Sequence, residues 1–230
     1  MTIQKLVKML DLASVKMDTT MSDIQELVDL AREWDIPQLC FNSANIPYAK
    51  KILENNGIPG ISLIGTAGFP TGCFPVESKI AEINLCASYG CTEIDICSNQ
   101  GFLKSGMLDE FEADISACVK AAHDAGMAAK IIVESASITP QQLKQSCEVV
   151  ASCGAEFYKT SSGYMENKTL PIHISVIKSV VGNRCEIKAA NGVRSYQQLL
   201  ALYNEGCTRF GVGVPFVRDI LRDCAAENDK

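Results

Sequence analysis

Three lysines lie in apolar segments of the chain, and they are the most reactive groups that the sequence brings together. Lys130 lies in Ala-Ala-Lys-Ile-Ile-Val, Lys159 in Phe-Tyr-Lys-Thr-Ser-Ser, and Lys188 in Glu-Ile-Lys-Ala-Ala. A lysine inside an apolar strand costs free energy unless it is paired or neutralised. One such lysine is typical of a structural ion pair or of an amine that reaches solvent. Three on consecutive strands of one barrel would instead share one site.

The chemistry that two adjacent lysines offer is imine formation. Like-charge repulsion and desolvation both lower the pKa of an amine, so one amine of the Lys159 and Lys188 pair would be neutral and nucleophilic near pH 7. An imine formed with a carbonyl is an electron sink that permits carbon–carbon bond cleavage without a metal. Asp95, in Glu-Ile-Asp-Ile, could shuttle protons through a water. These residues predict a class I aldolase with no metal and no cofactor.

Composition excludes several other classes of protein. The 230 residues are 47% hydrophobic and 21% charged, with a formal net charge of −6, as in an ordinary packed domain. The longest apolar run is residues 199–203, too short to span a bilayer, and the first residues lack the apolar stretch of a signal peptide. No cluster of Lys and Arg stands out, so we expect neither nucleic acid nor a membrane as partner.

The cysteines and histidines give no metal-binding pattern. Eleven cysteines are scattered along the chain without C-x-x-C spacing, and the two histidines, His123 and His173, fall in helix-like patterns. An odd cysteine count without a leader indicates a reducing compartment, so we expect a cytoplasmic protein with buried thiols. A zinc site and histidine-based catalysis are both disfavoured.

Short apolar segments alternate with longer amphipathic ones along the whole chain. The segments typical of buried strands are residues 9–14, 38–41, 62–65, 93–96, 129–133, 156–159, 186–188 and 209–212. Between them, capping residues such as Thr20, Thr139 and Ser195 open helix-like segments, and several of these end at glycine. Eight strand–helix units predict a single (β/α)8 TIM barrel over residues 1–230, with an N-terminal helical extension. A doubly wound open sheet is the alternative, but its nucleotide-binding fingerprint is absent.

In such a barrel, polar residues at the carboxyl ends of the strands face the active-site mouth. The residues that we place there are Asp11, Asp95, Lys130, Glu134, Lys159 and Lys188.

Six segments carry further motifs in a fixed order. They are Met9-Leu-Asp-Leu12, Gly68-Phe-Pro-Thr-Gly72 with the helix at 76–79, Glu93-Ile-Asp-Ile96 with the loop at 101–106, Lys130-Ile-Ile-Val-Glu134, Phe157-Tyr-Lys-Thr-Ser-Ser-Gly163 and Lys188-Ala-Ala-Asn-Gly-Val-Arg194. Each segment is weak evidence alone, but as an ordered set covering nearly the whole chain they resemble the deoxyribose-phosphate aldolase family.

The resemblance implies a role for each matching residue. Lys159 would form the imine, Lys188 would be the cation that activates it, and Asp95 would relay protons. Residues implied to contact the substrate are Asp11, Cys40, Lys130, Glu134, Gly163, Gly192, Val193, Gly211 and Gly213. For Cys40, simple core packing is the favoured alternative.

The chain departs from the family where the substrate phosphate would bind. Family members have a double glycine after strand seven, a pair of serines after strand eight, and often a lysine after the imine motif. Here these positions hold Asn191-Gly192, Gly213-Val214-Pro215 and Tyr164. Two hydroxyl donors and one cation are lost, although backbone amides remain for an anion. We therefore expect intact chemistry and a weakened phosphate site.

The resemblance implies reversible cleavage of 2-deoxy-D-ribose 5-phosphate to glyceraldehyde 3-phosphate and acetaldehyde. The first alternative is a related lysine aldolase for an unphosphorylated or differently charged sugar. The second is a non-catalytic barrel that binds a sugar or a protein partner, although a binding protein has no need of the Lys159, Lys188 and Asp95 set. We also consider a homodimer as the assembly, although no pattern in the sequence identifies an interface.

Overall fold

A computed structural model describes residues 1–228 of the chain. Eight parallel strands form one closed barrel in chain order, and β1 pairs with both β2 and β8. The strands are β1 (Leu10–Ser14), β2 (Gln38–Phe41), β3 (Ser62–Ala67), β4 (Glu93–Cys97), β5 (Ala128–Ile132), β6 (Phe157–Lys159), β7 (Glu186–Ala189) and β8 (Arg209–Gly213). The predicted TIM barrel is confirmed.

Helices lie before, between and after the strands. They are α1 (Ile3–Val7), α2 (Met21–Trp34), α3 (Ile46–Asn55), α4 (Val76–Ser88), α5 (Gln100–Lys104), α6 (Leu108–Asp124), α7 (Pro140–Ser152), α8 (Pro171–Val181), α9 (Tyr196–Asn204) and α10 (Val214–Asn228). Helices α2 to α9 lie between consecutive strands, α1 precedes β1 and α10 follows β8. Short 3-10 turns lie at Ser43–Asn45 and Ser135–Ser137. The short helix α1 precedes β1 and contacts α10, as the predicted N-terminal helical extension. Among residues 1–228, no helix is long and apolar enough to cross a membrane.

Local sequence signals explain where the helices begin and end. The hydroxyl of Thr20 accepts the amide of Asp23, whose carboxylate accepts the amide of Thr20, so that a capping box opens α2. Thr139 and Gln142 form the same box at the start of α7. At Gly206, the residue after α9 and its C-cap, φ is +112°, a conformation that a side chain would strain.

Most of the predicted strands differ from the observed ones by one or two residues at one or both ends, whereas β2 matches at both ends. β1 begins at Leu10 rather than residue 9, β3 continues to Ala67 rather than ending at residue 65, and β5 covers Ala128–Ile132 rather than 129–133. Hydrogen bonds to the neighbouring strands set these limits. The residue pattern of one strand does not show where that pairing begins and ends. The single domain predicted for residues 1–230 includes two residues that lie outside the described ones.

The outer layer contains a buried ion pair between neighbouring helices. Lys79 of α4 donates to both carboxylate oxygens of Asp114 on α6, at 2.9 and 2.7 Å, and the lysine side chain is completely buried. An unpaired charge in this position would be costly, so the pair fixes how α4 and α6 pack. It lies outside the barrel and leaves the barrel interior for the other buried lysines.

Candidate active site

Lys159 is the last residue of β6, so its amine reaches the mouth of the barrel. The β6–β7 register places Lys159 directly opposite Lys188. The Nζ atom of Lys159 donates to Asp95 Oδ2 at 2.7 Å and lies 5.9 Å from the centre of the Phe69 ring. With only 5% of Lys159 exposed, the amine is in a nearly dry position that opens toward the cavity.

Lys188 approaches the same carboxylate from the next strand. Its Nζ lies 2.7 Å from Asp95 Oδ2 and 2.6 Å from Asp11 Oδ2. Burial alone would lower the pKa of Lys188, but Asp11 and Asp95 outweigh burial and raise that pKa above its usual value. Lys188 is therefore a permanent cation beside Lys159, and one carboxylate oxygen separates the two amines.

Asp95 occupies the middle of β4 and is completely buried. Burial would raise its pKa, but Lys159, Lys188 and Lys130 hold the pKa of Asp95 well below its ordinary value. The prediction that Asp95 lies at the strand end is wrong, because the side chain points into the barrel beneath the lysines. Asp95 Oδ2 contacts the Lys159 amine directly, and the proton shuttle through a water stays a prediction.

Asp11 and Lys130 lie deeper still, and both are completely buried. Their charged atoms are 3.3 Å apart, and Lys130 Nζ is also 3.4 Å from Asp95 Oδ1. Burial opposes ionisation of Asp11, yet Lys130, Lys188 and Arg209 hold its pKa well below the ordinary value. The prediction that Asp11 and Lys130 face the mouth is wrong, since neither lines the cavity. They support the site from below.

Glu134 also has a different position from the one predicted. It accepts hydrogen bonds from the hydroxyl of Ser161 and the backbone amide of Ser162, both at 2.8 Å. Ser161 and Ser162 in turn accept the amides of Gly163 and Tyr164. Glu134 therefore fixes the segment that follows Lys159 and does not line the cavity.

Cys40 of β2 does reach the cavity. Its thiol is buried and lies 3.6 Å from Asp95 Oδ2, to which it donates. Burial and the nearby Asp95 raise the pKa of Cys40 to about 12. The residue is thus a neutral thiol beside the Asp95 carboxylate rather than a nucleophile.

A cavity of about 320 Å³ opens above these residues at the carboxyl ends of the strands. Its inner wall holds the four groups Lys159, Lys188, Asp95 and Cys40. The other predicted substrate-binding residues that line the cavity lie in its outer part: Gly163, Gly192, Val193, Gly211 and Gly213. Two cationic residues of the lining, Lys16 and Arg194, were not among the predicted site residues. Lys16 follows β1 in a loop, and no apolar context marks it in the sequence.

The three departures from the family pattern have visible local roles. The Tyr164 hydroxyl donates to the carbonyl of Val15 at 2.9 Å, and its ring meets Phe69 edge-on at 5.4 Å. Asn191 has φ of +59°, and its side-chain amide donates to carbonyls of Met165 and Asn167. These residues join the loops around the mouth with neutral contacts where the family pattern places glycine and a cation.

The third departure, Val214-Pro215, opens α10 beside the outer cavity. Val214 is the first residue of α10, and Phe216 in its first turn packs under the Arg194 guanidinium, 5.4 Å from ring centre to carbon. The positions that would hold two serines are therefore apolar, and Gly213, Phe216 and Arg194 line the cavity in this region. Arg194 is the cation that the outer cavity retains after strand seven.

The fold and the residues at its mouth define a (β/α)8-barrel enzyme with paired lysines. No protein-family model matches the chain. The chain is 31% identical over 218 residues to the deoxyribose-phosphate aldolase of Staphylococcus haemolyticus, covering 94% of this chain and 97% of that one. It is 32% identical over 206 residues to the enzyme of the same name from Thermococcus gammatolerans, covering 90% and 91%. The chain belongs to the deoxyribose-phosphate aldolase family, whose members are lyases.

Solved structures agree on the fold. An aldolase described as QR15 superposes with a TM-score of 0.87 at 23% identity, covering 98% of this chain and 97% of that one. The deoxyribose phosphate aldolase of Aeropyrum pernix, described as tetrameric, gives 0.86 at 21% identity over 98% and 93%. At these identities the likeness is one of architecture.

Proposed function

We propose that the chain cleaves 2-deoxy-D-ribose 5-phosphate reversibly to glyceraldehyde 3-phosphate and acetaldehyde through an imine on Lys159. The observation that carries this proposal is the shared carboxylate, since Asp95 Oδ2 lies 2.7 Å from both Lys159 Nζ and Lys188 Nζ. A nucleophilic amine, a fixed cation and a proton acceptor are thereby in contact at the floor of one cavity.

The steps follow from this arrangement. Lys159, once neutral, attacks the aldehyde carbon of the open-chain sugar, and loss of water gives a protonated imine. The C3 hydroxyl then loses its proton and the C2–C3 bond breaks, which releases the acceptor aldehyde while its electron pair passes into an enamine. Protonation of the enamine carbon and hydrolysis release acetaldehyde and free Lys159. Asp95 is placed to exchange protons with the lysine nitrogen, and Lys188 stabilises the anionic form of Asp95.

The outer cavity supports a weakened preference for phosphate. Each neutral hydrogen bond contributes about 0.5–1.5 kcal/mol, and a bond to a charged group about 1.5–3 kcal/mol. The hydroxyls and the cation that Val214 and Tyr164 replace would together contribute about 3–5 kcal/mol. Arg194, Lys16 and the amides near Gly192 recover a part of that free energy. The preference for the phosphorylated sugar would then be about two to three orders of magnitude smaller than with a complete site.

Two substitutions test this part of the proposal. Val214→Ser and Tyr164→Lys are each expected to raise the ratio of kcat/KM for deoxyribose 5-phosphate over deoxyribose by about tenfold, since each restores a donor worth roughly 1.4 kcal/mol. Tyr164→Phe is the matched control, because it removes the hydrogen bond to Val15 without adding a cation. A wild-type protein that discriminates strongly, and equally at high salt, would show that the anion binds elsewhere.

The absence of hydroxyl residues after β8 also favours a second candidate, a lysine aldolase whose acceptor aldehyde carries no phosphate. The same side-by-side assay of deoxyribose and its 5-phosphate separates the two candidates. A homodimer and a cytoplasmic location stay predictions, which size-exclusion chromatography with light scattering and cell fractionation would test.

A further inference from the structure

The ion pairs beneath Lys159 continue through the barrel toward its opposite end. Asp95 contacts Lys159 through Oδ2 and lies 3.4 Å from Lys130 through Oδ1. Lys130 in turn pairs closely with Glu93, the first residue of β4. Because Glu93 opens its strand, it lies at the amino-terminal end of the barrel, two residues before Asp95. A continuous path of opposite charges thus joins the reactive amine to that end.

A second series of ion pairs starts from Lys188 and also reaches the amino-terminal end of the barrel. Lys188 pairs with Asp11 Oδ2 at 2.6 Å, while Asp11 Oδ1 pairs with Arg209 at 2.8 Å. Arg209, the first residue of β8, lies 3.5 Å from Glu93, so the two series of ion pairs meet at Glu93. We call this set the core charge cluster; its members are Asp11, Glu93, Asp95, Lys130, Lys159, Lys188 and Arg209.

The core charge cluster holds four cationic and three anionic side chains, so it carries one net positive charge when all are ionised. Lys188 and Arg209 each contact two carboxylates, and Lys130 contacts three. Lys159 contacts one carboxylate oxygen and shares it with Lys188. The surplus positive charge is therefore least compensated at Lys159, the amine that opens onto the cavity.

Other ionisable groups near Lys159, among them Lys16 and Arg194 of the cavity lining, lie outside the core charge cluster and are the same in every variant compared below. Burial raises the pKa of the Cys40 and Cys97 thiols, so both are neutral at physiological pH. Glu134 is held by Ser161 and Ser162 above the cluster. Strand β3 (Ser62–Ala67) contributes no charged residue.

We propose that Glu93 and Arg209 are positioning residues that set the net charge beneath Lys159, and thereby the pH at which its amine becomes nucleophilic. They act from the end of the barrel opposite the cavity, and neither lines it. The proposal rests on Lys159 being the reactive amine of the proposed function. The pH at which the Lys159 amine becomes reactive should shift in opposite directions when the two residues are replaced. Removing Glu93 increases the net positive charge of the core charge cluster, whereas removing Arg209 cancels it.

The test compares Glu93→Gln, Arg209→Met and the double variant. Reductive methylation of Lys159 by formaldehyde and cyanoborohydride, which supplies the hydride, is carried out across pH and followed by peptide mass spectrometry. It measures where the amine becomes reactive without using the enzyme's substrate. We expect the midpoint to fall in Glu93→Gln and to rise in Arg209→Met, each by roughly 1 pH unit, as for charges roughly 10 Å apart at an effective dielectric constant of about 20. The double variant should return to the wild-type midpoint.

The matched control is Glu148→Gln, the same chemical change in a surface pair with Arg184, and its midpoint should equal that of the wild type. Circular dichroism establishes which variants fold. If only one single variant folds, the direction in which its pH midpoint shifts is enough to test the proposal. Unchanged midpoints, or shifts in the same direction, would overturn the proposal. The pH dependence of sugar cleavage is measured separately. If the wild type cleaves no deoxy sugar while the midpoints still move apart, the proposed function fails and the electrostatic role stands.

Discussion

Lys159→Met is expected to reduce cleavage of deoxyribose 5-phosphate by about 10³-fold or more, because the variant has no amine with which to form the imine. Asp95 would keep its contacts with Lys188 and Lys130, so the carboxylate stays paired and the barrel folds. Steady-state cleavage rates, with circular dichroism as the check on folding, measure the effect.

The control for this prediction is Lys159→Arg. Arginine keeps the positive charge beside Asp95 but stays protonated and forms no imine under these conditions. Activity should therefore be lost equally in both variants. If Lys159→Arg kept a rate within about tenfold of the wild type, Lys159 would act through its charge and the nucleophile would have to be another lysine.

Asp95→Asn is expected to lower turnover by about 10²-fold or more, since the amide has the same size but neither accepts nor releases a proton at neutral pH. The substitution also leaves Lys130, Lys159 and Lys188 with one carboxylate fewer, so we expect a measurable loss of stability. Turnover should be compared at a temperature where the variant remains folded.

The matched control for Asp95→Asn is Asp114→Asn, which removes another buried carboxylate that is paired with a lysine, Lys79, outside the site. It should lower stability and leave turnover of the folded protein unchanged. Near-normal turnover of Asp95→Asn would exclude the relay role of this carboxylate.

The sequence predicts which residues of the site could react better than it predicts how deep in the barrel their side chains lie. Lys159 and Lys188 lie in apolar strand segments, and a charged residue in such a segment is itself a signal. The same pattern did not show that Asp11 and Lys130 point into the barrel rather than to its mouth, or that Asp95 lies below the end of β4. Their depth follows from barrel closure and stagger, which single strands do not encode.

The contribution of Arg209 was missed for a related reason. Its partner Asp11 is 198 residues away along the chain, and the two meet only because β8 closes the barrel against β1. Glu93 was seen only as part of a motif with Asp95. Both are charged residues at the start of buried strands, and that position is the signal that could have identified them.

On the phosphate side of the cavity, the sequence shows which residues depart from the family pattern but not what those residues contact. The sequence identified Tyr164 and Asn191 as departures, but their hydrogen bonds to carbonyls of neighbouring loops depend on how those loops meet at the mouth. Likewise, Lys16 lines the cavity from a loop whose conformation no strand or helix pattern determines. Loop residues of a barrel carry specificity, and they are the part that local patterns predict least.

The central claim is that Lys159 forms an imine with the substrate carbonyl. Incubating the wild-type protein with acetaldehyde and borohydride, then mapping the modified peptides by mass spectrometry, tests it most directly. We expect an ethyl group on the peptide that holds Lys159, and no label at that position in Lys159→Met. Label on Lys188 or Lys130 instead, or an unlabelled protein, would contradict it.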